Sequence, residues 1–98
     1  MIDLKKYNSP IHKVTFEEGD LYLKKLPADK VYQFDSLEDR GERMLKTVLC
    51  SLCDESGDKL DLTLEDVKKM DADIVSTIFL ECQIINKPKK KIDSVQGI

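Results

Sequence analysis

Ala72 to Asn86 reads ADIVSTIFLECQIIN, the most apolar stretch of the chain, and its periodicity decides the architecture. At 100° per residue, Ile74, Val75, Ile78, Phe79, Cys82 and Ile85 fall on one broad face, as expected of a helix packed on a core. Asp71 stands ahead as a cap, and Pro88 follows as a stop. Leu80 and Ile84, four residues apart, lie far around the helix from that stripe. The helix over 72–86 is therefore apolar on two sides.

Upstream, Thr63 is an N-cap with Glu65 and Asp66 in the first turn of a brief helix over 64–70. Lys59 to Leu62 is a short extended link, preceded by the turn Asp54-Glu55-Ser56-Gly57-Asp58. Before the turn comes a longer helix over 37–53, with Ser36 as N-cap and Leu37, Met44, Leu45, Val48, Leu49 and Leu52 on one stripe. Gly41 lies on the same stripe and marks either a close helix crossing or a break. Cys50 points almost opposite Leu45 and Leu52, so the end of this helix lacks a polar side. Pro27 opens a short helix over 27–35. His12 to Leu26, HKVTFEEGDLYLKKL, sets two β-prone runs around Glu17-Glu18-Gly19-Asp20, a hairpin in which Gly19 supplies a positive φ. Tyr22 faces away from Leu21 and Leu23 and is left half-exposed unless something covers it.

The fold class is thus α+β and mostly helical: an N-terminal β-hairpin over 12–26, a small bundle of three to four helices, and a flexible basic C-terminal tail. One globular domain over 1–86 and a tail over 87–98 account for the 98 residues, a length suited to a single modest core.

Hydrophobic residues make up 41% and charged residues 36%, the balance of a soluble globule. No apolar run approaches the roughly 20 residues that span a bilayer, and MIDLKKYNS at the start has no apolar stretch of the secretory kind. A cytoplasmic protein without membrane contact is expected. The formal charge of -3 conceals an asymmetry, because the tail holds four Lys against one Asp while residues 1–86 hold 12 basic against 18 acidic residues. An acidic body repels phosphate backbones, which makes nucleic acid an unlikely partner.

The motifs that carry chemistry are weak. Cys50 and Cys53 form a CSLC pair near a helix C-terminus, where the dipole disfavours thiolate. With Cys82 and His12 as the remaining ligands, no structural zinc set assembles. Three cysteines cannot all pair within one chain, which fits reduced thiols. DESGDKLDLTLE, from Asp54 to Glu65, has the look of a calcium loop. Setting Gly57 at the sixth position, however, puts Leu52 first and Thr63 twelfth and removes the essential carboxylates. His12 has no nucleophile signature beside it, and Gly19, Gly41, Gly57 and Gly97 are isolated from one another. No catalytic residue, cofactor or metal is expected.

What remains is surplus apolar surface. Either the last helix is enclosed by its neighbours, or its second face is an association site for another copy or an apolar client. On the second reading Thr77, Leu80, Ile84 and Cys50 are the candidate partner-binding residues.

In the order of its features the chain resembles the small tail assembly chaperones of long-tailed bacteriophages and prophages. The matching text is LYLKKLPADKVYQFD from Leu21 to Asp35, RMLKTVLCSLCDESGDKL from Arg43 to Leu60, LTLEDVKKM from Leu62 to Met70, and DIVSTIFLECQIIN from Asp73 to Asn86. The CSLC pair lies outside the family's pattern. The resemblance implies a non-enzymatic protein of the host cytoplasm that self-associates, binds and solubilises the tape measure protein, assists assembly of the major tail tube protein, and is absent from the mature virion. The competing expectation is a small phage or bacterial regulatory protein that contacts nucleic acid through its KPKKK tail.

Overall fold

The computed structural model describes residues 3, 5 and 10–87. Strands β1 (His12–Phe16) and β2 (Gly19–Leu23) form an antiparallel hairpin, with Phe16 opposite Gly19 and His12 opposite Leu23. Its turn, Glu17-Glu18, keeps negative φ and hands the left-handed conformation to Gly19, at φ +147°. A residue with a Cβ would be strained there. His12, Val14 and Phe16 share a face with Leu21 and Leu23, which carries the apolar side of the sheet. On the other face Asp20 binds Lys13 at 3.4 Å and accepts a hydrogen bond from the Thr15 hydroxyl at 2.9 Å.

Helix α1 (Ala28–Asp35) begins one residue later than expected, with Pro27 as N-cap, its carbonyl accepting from the Lys30 and Val31 amides. The next helix, expected over 37–53, is shorter at both ends: α2 is Arg40–Ser51. Ser36 does not cap it. Instead Ser36 closes α1, its hydroxyl donating to the Gln33 carbonyl, while the Asp39 carboxylate accepts from the Glu42 amide and starts α2. Gly41 therefore sits in the first turn, exposed, beside the Asp39 side chain and at no helix crossing. At the other end Leu52 turns extended and, with Cys53, forms a strand β3 (Leu52–Cys53). It pairs with Tyr22 and Leu23, so the hairpin becomes a three-stranded antiparallel sheet in the order β1-β2-β3.

Leu23 and Leu52, paired across β2 and β3, draw the chain into the core at the cost of the last two residues expected in the helix. The turn Asp54 to Asp58 then folds over the outer side of the sheet. Tyr22 donates its hydroxyl to Glu55 at 2.9 Å, and the Lys24 ammonium donates to the Gly57 carbonyl at 2.9 Å. Gly57, at φ +87°, leaves room for Ile11 where a Cβ would come within 3.1 Å of it.

Helix α3 is Leu64–Lys68, shorter than the expected 64–70, with Thr63 and Asp66 in a reciprocal capping box. Helix α4 is Ala72–Ile85, one residue shorter than the expected 72–86, with Asp71 at its N-cap position but without a capping hydrogen bond to its side chain. The core joins Leu23, Val48, Leu52, Val67, Val75, Ile78, Phe79, Cys82 and Ile85, with Met44, Leu45 and Leu49 packed at its margin. The basic tail expected over 87–98 lies, from residue 88 onward, outside the described residues. Among the described residues no helix is long and apolar enough to cross a membrane.

Candidate functional site

Helix α4 presents two kinds of apolar side chain, and packing separates them. Val75, Ile78, Phe79, Cys82 and Ile85 are buried between α2 and the sheet. Leu80 and Ile84, on the opposite side, are 60% and 57% exposed. Thr77 is exposed on their side of the helix, and its hydroxyl is turned back to the Asp73 carbonyl at 2.8 Å, which satisfies it locally. Thr77, Leu80 and Ile84 thus share one outward stripe. Cys50 does not join it: it lies half-buried in the last turn of α2. Ile84 also reaches a shallow cleft with Pro10, His12, Val14, Lys25 and Glu81 along the hairpin, and Cys50 is not among the residues that line it.

No family model, curated protein or solved structure matches this chain. Its site is therefore read from its own residues.

The thiols occupy apolar surroundings. Cys82 is fully buried, and burial pushes its thiol up to about 11, with the Ser51 hydroxyl offsetting part of the rise. Burial likewise raises Cys53, against the opposing effect of Lys24. A raised thiol is a poor nucleophile at neutral pH. Among the described residues no group of three or more His, Cys, Asp or Glu is placed to hold a metal ion. Tyr22 is raised by the hydrogen bond it gives to Glu55, and Asp66 is lowered by the Thr63 amide and hydroxyl that bond to it. Both shifts follow from the structural contacts that hold the Asp54 to Asp58 turn and the start of α3.

A second feature was not foreseen from the sequence. An open cleft of about 530 Å³ lies between the tip of the hairpin and the start of α4. Phe16 and Leu21 form its sheet wall, Leu60 and Leu62 its side, and Met70, Ile74 and Ile78 the helical wall. Glu18, Asp20 and Asp71 line it as well, without any Lys or Arg. The link expected to be extended over 59–62 is bent at Asp61, where the Leu62 amide donates to the Leu60 carbonyl at 2.9 Å, and both leucines line the cleft.

Proposed function

We propose that this chain is a non-enzymatic tail assembly chaperone of a long-tailed phage or prophage. It works in the host cytoplasm, binds and solubilises the tape measure protein, and assists tube assembly around it as an oligomer without entering the mature virion. The family resemblance of the sequence supplies the identity of the client. The observation that carries the reading is the exposed Leu80 and Ile84 pair on a helix whose other side is buried in the core.

Large aliphatic side chains held in water on a rigid, well-packed helix suit a helix-in-groove contact with another copy or with an apolar client. Two such side chains make a weak contact. Weakness suits the task, because many weak contacts along one long client add through effective concentration and remain reversible one by one.

Co-expression tests the reading. The chain should raise the soluble fraction of the tape measure protein encoded beside it, and Leu80→Asp with Ile84→Asp should reduce the gain while far-UV helicity is kept. A gain no larger than that given by an unrelated acidic protein sinks the proposal.

A further inference from the structure

The cleft between the hairpin tip and the start of α4 has an apolar interior and an acidic rim. Its walls come from three segments that are each fixed independently: the sheet through Phe16 and Leu21, the link through Leu60 and Leu62, and the α3–α4 corner through Met70 and Ile74. The sheet wall is held by the hairpin register, and the corner by the Lys69 and Met70 amides, which donate to the Asp66 and Val67 carbonyls. The groove is an open cleft of about 530 Å³ with walls drawn from all three segments. Ile74, the large apolar side chain at its mouth, is 37% exposed. Met70 adds a thioether that adapts to side chains of different shape.

The rim selects among apolar ligands. Glu18, Asp20 and Asp71 line the cleft and no cation does. Asp20 is partly neutralised by Lys13, whereas Glu18 and Asp71 enter no ion pair among the described residues. Carboxylates around an apolar floor repel an acidic ligand and attract a basic one over a Debye length of about 8 Å at physiological salt. We infer that this cleft is a client groove that seats an apolar helical segment bordered by Lys or Arg. The inference deepens the chaperone reading, on which it rests, by placing the client here and leaving Leu80 and Ile84 to contacts between copies.

The test uses the full chain and a fluorescent amphipathic peptide of roughly 18 residues, five helical turns, with leucines on one face, alanines between them and lysines at both ends. A matched peptide carries glutamates in place of the lysines. Expected is saturable binding of the lysine peptide that weakens with salt, with the glutamate peptide bound at least about tenfold more weakly. Ile74→Lys, at an exposed position, should weaken the lysine peptide by about tenfold or more, since it sets a cation in the apolar mouth. Glu18→Lys should act in the same direction, and each of these two variants should weaken peptide binding more than Leu80→Asp with Ile84→Asp does.

Equal binding of the two peptides, or binding indifferent to both Ile74→Lys and Glu18→Lys, overturns the inference. So does loss of binding only in the Leu80 and Ile84 variant. If the peptide binds as expected but the tape measure protein gains no solubility, the groove stands and the chaperone reading falls. If the tape measure protein is solubilised equally by wild type and Ile74→Lys, the chaperone reading stands and the groove falls.

Discussion

Ile78 and Leu80 stand two residues apart on α4, and truncating each to Ala should cost very different amounts. Either substitution removes three carbons, worth about 0.8 kcal/mol each when buried. Ile78 is 1% exposed and belongs to the core cluster, so it forfeits roughly 2.4 kcal/mol of transfer energy together with the cavity it leaves. A cost of about 3–4 kcal/mol is expected. Leu80 is 60% exposed, so about 1 kcal/mol is at stake, and the better helix propensity of Ala returns a few tenths.

Urea unfolding of dilute protein measures the difference. With a slope near 1.5 kcal/mol per M, the midpoint should fall by about 2 M for Ile78→Ala and by less than about 0.7 M for Leu80→Ala. Raising the protein concentration adds a second reading. If copies associate through Leu80 and Ile84, the cost of Leu80→Ala grows with concentration while that of Ile78→Ala does not.

The size of that association follows from the same exposures. Covering what remains open of the two side chains contributes about 1–2 kcal/mol each, or roughly 4–8 kcal/mol for both copies of a symmetric pair. Association itself costs on the order of 4–15 kcal/mol, so this stripe alone supports only dissociation constants of about a millimolar or above. Equal midpoint shifts for the two variants would refute the assigned rotation of α4. A nanomolar dimer that survives Leu80→Asp with Ile84→Asp would refute the interface.

Two further predictions concern pH. Because the folded-state value of Cys82, about 11, lies above its ordinary 9.0, its contribution is complete below about pH 9 and is lost as pH rises through 11. Wild type should therefore lose up to about 3 kcal/mol more over that window than Cys82→Ala, and parallel alkaline profiles would contradict the burial of this thiol. Asp66 behaves in the opposite sense: its carboxyl is held below 3.8, so its contribution is present above that pH and is lost as pH falls through the lowered value. Thr63→Ala should cost about 1 kcal/mol near neutrality, and the deficit should shrink on acidification when followed by thermal unfolding. A deficit independent of pH would mean that the hydroxyl does not act through Asp66.

Where a residue's local chemistry has one outlet, its place in the fold was legible. Thr63, expected as an N-cap with Glu65 and Asp66 in the first turn, caps α3, and the reciprocal box it forms with Asp66 is a finding of the structure. Gly19 between two β-prone runs became the positive-φ residue of the hairpin. The periodicity of α4 set Ile78 and Cys82 apart from Leu80 and Ile84, but left open whether neighbours enclose the second face, and it put Ile74, which is 37% exposed, with the core residues.

Competition between equivalent groups explains the misses. Ser36 and Asp39 are both good caps, and only the three-dimensional ending of α1 shows that Ser36 is already used by Gln33. Leu52 satisfies the helical stripe of α2 as well as it satisfies a strand. Its pairing with Leu23, which the local pattern cannot register, settled the matter for the sheet. Cys50 was grouped with Leu80 and Ile84 because helical angles show which residues lack polar neighbours but not which helices face one another. The cleft was invisible for the same reason, since its walls are contributed by residues as distant as Phe16 and Ile74.

Asn86 sets the timetable on which a nascent chain can complete this fold. Its side-chain oxygen accepts from the Leu26 amide at 2.9 Å, across 60 residues, while its nitrogen donates to the Cys82 carbonyl at 2.8 Å. The hairpin that ends just before Leu26 is marginal alone, as isolated two-stranded hairpins are. Its apolar face waits for α4, and α4 is fastened to it by the residue at its C-cap. At about 5–20 residues per second, a ribosome takes roughly 3–12 seconds to travel from Leu26 to Asn86. Throughout that interval Val14, Phe16, Leu21 and Leu23 lack the part of their cover that α4 supplies. The chain therefore passes through a vulnerable period of its own, which ends when Asn86 leaves the ribosome.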